Sequence, residues 1–317
     1  MGNEKIRFGF ACAIAAQVAW GLFPIYVHFL KGYDAFALVA HRIFWSFILL
    51  ISLFGLARFV RSQYLPSLSE IRSGLRNRRT IVACVFAALL ILTNWVGFIW
   101  AVLHEHKVDA SLGYYICPQV VVILGVIFQG ERLARIQWIG FALTSIGVLY
   151  MVRSSASAPL ISLTVAFSFG FYALLKKRIQ LSPLSGLTFE TGILFLPAVL
   201  LFAFYCDFLP NPELAASLDS STPTVFTRNW QLNALLFGCG FATVVPLAMY
   251  ATALKHIPLS TVGLLQFIGP TIQFLLGTFV YDEPFDSSRL VGFLIVWTGV
   301  AIYLASLRST SIAANDP

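Results

Sequence analysis

The sequence predicts an all-α membrane protein with ten transmembrane helices arranged as two inverted five-helix repeats. Three observations predict this fold: the apolar composition, the spacing of the apolar segments, and a motif that returns 152 residues later. Of the 317 residues, 58% are hydrophobic and 11% are charged, whereas about 25% of the residues in soluble domains are charged. A soluble core cannot enclose this much apolar surface, but helices of roughly 20 residues can expose it to lipid.

Ten apolar segments, bounded by charged residues or prolines, are the predicted transmembrane helices. They are expected at residues 8–30, 35–57, 80–103, 109–129, 134–152, 158–175, 184–206, 231–254, 259–280 and 287–307. Lys5 and Arg7 precede the first segment, as in a signal peptide, but this segment is too long for a cleaved one, which favours a retained span. The stretches 61–79 and 207–229 are expected to be loops.

The distribution of Lys and Arg predicts the orientation of the chain. If the N-terminus is cytoplasmic, fifteen of the 21 Lys and Arg residues lie on the cytoplasmic side and five on the opposite side, and Arg42 lies inside a span. Cytoplasmic loops are enriched in positive residues, so both termini are expected in the cytoplasm of a plasma (inner) membrane protein. The net charge of +7 then indicates contact with anionic lipid head groups rather than with nucleic acid.

A repeated motif divides the chain into two halves. Pro118, Glu131, Gly140 and Gly147 return at one offset as Pro270, Glu283, Gly292 and Gly299. The first half is expected to comprise residues 1–154 and the second 155–308, followed by a cytoplasmic tail at 309–317. Because each half holds five spans, an odd number, the second half enters the membrane from the opposite side. Such inverted repeats are typical of secondary transporters.

Three ionisable residues are expected inside spans, where burial in lipid is costly and a functional role is the default hypothesis. His41 and Arg42 lie in the second predicted helix and Glu190 in the seventh. His41 and Glu190 are candidates for coupling transport to protons. Arg42 is a candidate binding residue, which could also pair with Glu190 or extend outward to the interface.

Uncharged polar and aromatic residues inside the spans predict a central cavity, because amides in lipid need partners. Together with Arg42 and Glu190, the predicted substrate-binding residues are Gln17, Trp20, Asn94, Trp95, Tyr114, Tyr115, Gln119, Tyr172 and Gln266. Any of them could instead hydrogen-bond between helices. Pro118 and Pro270 each remove a backbone hydrogen bond and are interpreted as hinges or as static bends. The glycine pairs of the last helix in each half are expected to serve close packing.

No metal, cofactor or nucleotide site is predicted. His104, Glu105 and His106 are consecutive in a short external loop and lack further ligands nearby. The five cysteines lie in or beside apolar segments and are interpreted as small packing residues. The sequence has no Walker motif, so transport driven by ATP hydrolysis in this chain is not expected.

A set of short motifs is spread over nearly the whole chain. The motifs are His-Arg-Ile-Phe-Trp-Ser at 41–46, Asn-Trp at 94–95 with Phe-Ile-Trp-Ala-Val at 98–102, Ala-Ser-Leu-Gly-Tyr-Tyr at 110–115, Gly-Glu-Arg-Leu at 130–133 with Gln-Trp at 137–138, Gly-Leu at 186–187 with Glu-Thr at 190–191, and Ile-Gly-Pro-Thr at 268–271. As a set they resemble the drug/metabolite transporter (EamA-like) superfamily, and within it the RarD branch, which is named for an association with chloramphenicol sensitivity. The resemblance implies ten helices with cytoplasmic ends, a central substrate cavity, and export or exchange of small organic solutes. Cys117 stands where the family pattern usually has Asn before the proline.

The leading functional hypothesis is a secondary transporter that moves small metabolites or drugs by alternating access, with the solute and membrane lipid as its partners. Two other classes stay open, namely a membrane-embedded enzyme acting on lipid, and a channel or receptor. An enzyme would need clustered catalytic groups near one interface, whereas the three ionisable residues inside the spans are few and spread out. The sequence carries no signal of an oligomeric state.

Overall fold

The computed structural model of the protein describes residues 2–30, 35–59, 68–103, 107–153, 159–205, 230–281 and 287–313. These residues form twelve α-helices and no strand. In chain order the helices are α1 (Gly2–His28), α2 (Ala35–Phe59), α3 (Leu68–Arg76), α4 (Arg78–Leu103), α5 (Lys107–Gln129), α6 (Arg135–Arg153), α7 (Pro159–Arg178), α8 (Pro183–Tyr205), α9 (Trp230–His256), α10 (Leu259–Leu265), α11 (Ile268–Val280) and α12 (Ser287–Ala313).

Within the described residues, ten stretches of helix are long and apolar enough to cross a membrane, which confirms the predicted fold class. The outer surface of these helices carries large apolar side chains. Leu160 and Phe279 are each 73% exposed, and Leu149 and Ile127 are 66% and 65% exposed. Lipid hydrocarbon is the environment in which such a surface is stable, since the helices satisfy their own backbone hydrogen bonds.

The stretch 61–79, predicted to be a loop between two spans, contains no candidate span before Arg78 in its described part, but it is not irregular throughout. Residues 68–76 form α3, and α4 already begins at Arg78. The helix is amphipathic, and Gly74 on its buried side packs against Leu181 and Phe189. The predicted loop at 207–229 and the residues 104–106 lie outside the described residues.

The ninth predicted span consists of two helices, α10 and α11, separated by Gln266 and Phe267. The amide of Gln266 donates to Gly263 O at 3.1 Å and that of Phe267 to Leu264 O at 3.3 Å. These bonds close the tighter i→i−3 turn, which often marks a hinge within a helix. Pro270 follows in the first turn of α11, where its missing N–H costs little. Pro118, in contrast, lies inside the continuous helix α5.

The two halves pack around each other as inverted repeats. Three helices contact their own counterparts in the other half: α2 contacts α8, α5 contacts α10, and α6 contacts α12. Other contacts also occur in matched pairs. The α1–α9 contact corresponds to α7–α4, the α1–α11 contact to α7–α5, and the α2–α9 contact to α8–α4. A two-fold relation between the halves requires this pattern. Most of the packing is therefore between the halves rather than within them.

The glycines of the repeated motif bring α6 and α12 into backbone contact. A Cβ atom on Gly140 would lie 2.7 Å from Gly299 O, and one on Gly299 would lie 2.5 Å from Gly140 O. Likewise, a Cβ on Gly147 would lie 2.8 Å from Gly292 O. Gly140 thus contacts Gly299, and Gly147 contacts Gly292. The first glycine of the motif in one half meets the second glycine of the motif in the other half. The structure confirms the packing role predicted for these residues.

Candidate functional site

A central cavity lies between the two halves. Its volume is about 180 Å³, and its walls come from α1, α2, α4, α5, α7, α9, α11 and the α10–α11 junction. The lining residues are Gln17, Trp20, Phe23, Arg42, Ile91, Asn94, Trp95, Phe98, Tyr114, Cys117, Phe169, Leu247, Gln266, Gly269, Pro270 and Gln273. Seven of the eleven residues that the sequence predicts for binding are among them, namely Gln17, Trp20, Arg42, Asn94, Trp95, Tyr114 and Gln266.

One wall of the cavity is aromatic and joins the two halves. The rings of Trp20 and Phe169 meet edge to face, with centroids 5.8 Å apart. Tyr250 contacts both, with centroid distances of 5.4 Å to each. Edge-to-face aromatic pairs have favourable quadrupole interactions beyond the apolar area that they bury. Through Trp20 and Phe169, this cluster gives the cavity an aromatic surface that both halves share.

Arg42 is the charged residue of the lining. Its Nε atom donates a hydrogen bond to Thr243 Oγ1 on α9 at 3.1 Å. Its guanidinium carbon lies 4.5 Å from the ring centroid of Trp95 and 5.1 Å from that of Phe23. Rings of two helices thus stabilise the cation by cation–π interactions. Arg42 connects α2 to α1, α4 and α9 beside the cavity.

Several lining amides are engaged by the protein. Asn94 Nδ2 donates to Val165 O at 2.9 Å, and Tyr114 OH donates to Asn94 Oδ1 at 3.3 Å. At the α10–α11 junction, Gln266 Nε2 donates to Tyr250 OH at 2.5 Å, and the Cys117 thiol lies 3.5 Å from Gln266 Oε1. Gln273 Nε2 donates to Trp20 O at 3.1 Å. These bonds hold the wall residues in place.

Four predicted binding residues do not line the cavity. On α5, Tyr115 packs edge to face on Phe293 of α12, and Gln119 exchanges hydrogen bonds with Thr144 and Ser145 of α6. Tyr114 and Cys117 face the cavity because they are three residues apart on the opposite side of the same helix. Tyr172 and Glu190 lie together elsewhere, in a buried polar cluster.

That buried cluster contains the ion pair between Lys176 Nζ and Glu190 Oε1 at 2.8 Å, with both side chains 3% exposed. Tyr172 OH donates to Glu190 Oε2 at 3.1 Å. Glu190 therefore pairs with Lys176 and not with Arg42. His41, the other coupling candidate, is fully buried, with its ring centroid 4.7 Å from that of Phe202, and it does not line the cavity.

Polar contacts join the helix ends on the side of the membrane where α1 begins, which we call the N-terminal face. Lys177 Nζ of α7 donates to Leu254 O at 2.9 Å and to Ile257 O at 2.8 Å. Glu131 accepts hydrogen bonds from the backbone amides of Leu259 and Ser260 at 2.5 and 2.9 Å, which caps α10. A carboxylate at this position compensates the unpaired amides of a helix N-terminus.

Two further details explain how this face is assembled. Gly130 ends α5 with a φ of 67°, a left-handed conformation that glycine adopts without strain, and it directs Glu131 back toward α10. Glu70 of α3 accepts hydrogen bonds from Ser182 and from Ser185 Oγ, the latter at 2.8 Å, at the start of α8. Lys255 Nζ donates to Leu181 O in the same region.

The electrostatics of Glu70 follow from these contacts. Burial raises the pKa of the Glu70 carboxyl, but the hydrogen bonds from Ser182 and Ser185 and the charge of Lys255 oppose it. The hydrogen bonds and the cation outweigh burial, and the pKa is held below its ordinary value. Sequence reasoning missed Glu70, Glu131, Lys176 and Lys177 as contacts between elements. The two lysines served in the sequence only to predict orientation, and Glu131 only to define the repeat and one of the family motifs.

Comparisons with known proteins agree with this architecture. The sequence pattern of the EamA-like transporter family matches residues 7–153 and again 156–305. An uncharacterised transporter of Vibrio cholerae is 37% identical over 95% of this chain and 93% of its own length, and protein RarD of Escherichia coli K12 is 36% identical over 96% of both. A solved crystal structure that is 16% identical covers 96% of this chain and 98% of its own, with a TM-score of 0.68, and shows the same fold. The protein is therefore a multi-pass membrane protein that belongs to the EamA-like transporter family.

Proposed function

We propose that this protein is a secondary transporter that moves small organic solutes across the plasma (inner) membrane by alternating access, by export or exchange. The observation that carries the proposal is the position of the cavity, which lies between two inverted halves and is walled by residues of both. In inverted-repeat transporters the substrate site lies at the interface of the repeats, and the halves rock around it.

The orientation proposed from the Lys and Arg distribution places the N-terminal face in the cytoplasm. In this orientation the contact of Glu131 with the start of α10 joins the two halves on the cytoplasmic side, which supports closure there. Phe23, Phe98 and Gln273 lie on the opposite, external side of the cavity, as their positions along α1, α4 and α11 require. This arrangement corresponds to a conformation closed to the cytoplasm.

The hinge for the opposite conformation is proposed at the α10–α11 junction and at Pro118. Two i→i−3 hydrogen bonds already separate α10 from α11, and the proline of α5 leaves one backbone carbonyl without its helical partner. Because α5 packs on α10, bending at the two positions would be coupled. Exchange of these bends between the halves would open the cytoplasmic side.

For coupling, we favour Glu190 over His41. Glu190 belongs to a hydrogen-bonded ion-pair cluster near the N-terminal face, at which α8 begins. A carboxylate whose cation partner sits on a neighbouring helix can exchange that cation for a proton when the helices move apart. Proton coupling through this pair is part of the proposal.

Catalysis and a permanently open channel are the competing classes. Among the described residues, the cavity lining offers one charged side chain and no pairing of a nucleophile with a base, which favours binding over bond cleavage. The polar closure of the N-terminal face favours a gated cavity over a continuous pore. We therefore propose a transporter that is not an enzyme.

The proposal is tested by counterflow in proteoliposomes that contain purified protein. A panel of amino acids, metabolites and amphenicols is used, with and without a pH gradient. Gly269 lines the cavity and leaves room beside Gln17, so Gly269→Phe fills the site. The matched control is Gly55→Phe, at an exposed glycine of α2 with no neighbour within 4 Å.

We expect at least one solute to be exchanged by the wild type and by Gly55→Phe, with the rate reduced at least about tenfold in Gly269→Phe. Transport of no solute in the panel contradicts the proposal. Equal rates for the two phenylalanine variants contradict the assignment of the cavity as the route.

A further inference from the structure

The polar groups of the cavity differ in whether the protein already satisfies them. Asn94, Gln266 and Gln273 are hydrogen-bonded to neighbouring residues. In Gln17 and Arg42, some side-chain hydrogen-bonding groups have no partner among the described residues. These two side chains are therefore the groups available to a ligand.

A guanidinium carries five N–H donors in a planar fork and no acceptor. Across the described ranges, the hydrogen bond of the Arg42 side chain is that from Nε to Thr243 Oγ1. Trp95 and Phe23 cover the cation with their rings but present no acceptor atom to it. The described part of the chain places its buried ion pair elsewhere, at Lys176 and Glu190. The Nη donors of Arg42 are thus left for a molecule in the cavity.

Gln17 is a second, independent indication of a ligand. Its side chain is buried, with 5% of the residue exposed, and it lines the cavity. Its Oε1 atom lies 3.1 Å from where a Cβ of Gly269 would be, so the glycine keeps the space in front of the amide open. None of the described residues accepts a hydrogen bond from this amide. The amide borders the cavity, so a polar group of a ligand there can hydrogen-bond to it.

The charge of the cavity selects the sign of the ligand. A cation away from bulk water is expensive unless an anion neutralises it. Arg is suited to carboxylates, because its fork matches the two oxygens and the paired hydrogen bonds are charge-assisted. A ligand cation, in contrast, would be repelled by Arg42 at close range.

The walls select the rest of the ligand. Trp20, Trp95, Phe98, Tyr114 and Phe169 supply rings around the cavity, and aromatic walls bind flat or apolar groups with large buried area. We propose that the cavity selects organic carboxylates with an aromatic or apolar body, held by the Arg42 guanidinium, with Gln17 as a second donor. The inference rests on the proposed function, because it names the class of solute of that same site.

The test compares ligands that differ only in charge. Purified protein in detergent is titrated by calorimetry at pH 7.5 with indole-3-acetate and its neutral isostere indole-3-acetamide, and with phenylacetate and phenylacetamide. We expect the wild type to bind each carboxylate at least about tenfold more tightly than its amide. Arg42→Gln should remove this preference, Arg42→Lys should retain part of it, and Gln17→Leu should weaken carboxylate binding severalfold. Arg135→Gln removes an exposed cation away from the cavity and is the matched control, with wild-type preference expected.

Equal binding of acid and amide by the wild type overturns the inference, even if Arg42→Gln fails to fold. Preference retained in a folded Arg42→Gln variant also overturns it. Counterflow in proteoliposomes separates this inference from the proposed function. If neutral solutes are transported, and the carboxylates neither bind to the protein nor inhibit this transport, the carboxylate class is overturned. The proposed transport function is then still supported. Tight carboxylate binding without any exchange supports the site and contradicts transport, and neither binding nor transport of any probe contradicts both.

Discussion

Trp20 and Phe169 meet edge to face at the wall of the cavity, with ring centroids 5.8 Å apart and an interplanar angle of 83°. They occupy equivalent positions in the two halves, 149 residues apart, and a glycine follows each. A Cβ on Gly21 would lie 2.7 Å from Ile272, and one on Gly170 would lie 2.6 Å from Val120. Val120 and Ile272 are themselves 152 residues apart. The relation between the halves therefore extends to individual side-chain contacts around the cavity.

The Trp20–Phe169 contact should contribute to stability beyond the area that each ring buries. Each single alanine variant is expected to lower the thermal unfolding midpoint in detergent, and the double variant should lose less than the sum. Aromatic pairs of this geometry have coupling energies of about 0.5–1.5 kcal/mol. A double-mutant cycle measures the coupling, and strictly additive effects would contradict a direct contact.

The glycine contact between α6 and α12 should not tolerate a methyl group. Gly140→Ala places its Cβ against Gly299 O, so the backbones must separate, at a cost of about 1–3 kcal/mol. Gly55→Ala adds the same methyl group at an exposed position and should leave the unfolding midpoint nearly unchanged. The measurement is thermal unfolding of both variants in one detergent. Equal midpoints would show that α6 and α12 do not touch at Gly140.

The Lys176–Glu190 pair should matter for both stability and coupling. Glu190→Gln leaves Lys176 buried without its anion, and loss of one partner of a buried pair costs about 3–5 kcal/mol. The variant should unfold at lower temperature, and its counterflow should lose the dependence on a pH gradient. The control is Glu4→Gln, which removes an exposed acid at the start of α1.

A second variant separates coupling from folding. Glu190→Gln combined with Lys176→Met removes both charges, which should restore much of the stability but not the proton dependence. Unchanged pH dependence in this folded double variant would exclude Glu190 as the coupling group.

The hydrogen bonds of Glu70 should make the docking of α3 pH-dependent. Because the folded-state pKa of Glu70 lies below its unfolded-state value of about 4.5, the ionised carboxyl stabilises the fold above that unfolded value. This contribution is lost as the pH falls through the still lower folded-state pKa. Glu70→Gln should therefore be less stable than the wild type at pH 7, and the difference should shrink below about pH 4. Unfolding midpoints across this range test it, and a constant difference would argue against the hydrogen-bonded carboxylate.

The proposed orientation predicts which side of the membrane reaches Gln273, an exposed residue of α11 that lines the cavity. A membrane-impermeant maleimide added to intact cells should label Gln273→Cys, with the unsubstituted protein as the background. Glu131→Leu removes the cap of α10 and should weaken closure of the N-terminal face by about 0.5–2 kcal/mol. Labelling of Gln273→Cys should then slow, because the population shifts toward the opposite conformation. Faster labelling in that background would contradict the alternating-access model.

Most polar residues that line the cavity could be predicted from the sequence. The direction in which each side chain points from its helix could not. Tyr114 and Tyr115 are adjacent and chemically alike, and both were predicted to bind. One turns to Asn94 and the cavity, and the other packs on Phe293 of α12. In a helix that is apolar all round, periodicity does not reveal which face meets lipid, protein or cavity.

The apolar lengths, the charge bias and the repeat were sufficient to determine ten spans in two inverted halves, because lipid leaves a chain few ways to satisfy its backbone. Tertiary structure alone decided that Glu190 pairs with Lys176, that Arg42 contacts Trp95, Phe23 and Thr243, and that the ninth span breaks at Gln266. These features depend on contacts between helices far apart in the chain. Short-range patterns record which residues prefer lipid, whereas the rotation of each helix about its axis is set by the packing of the two halves.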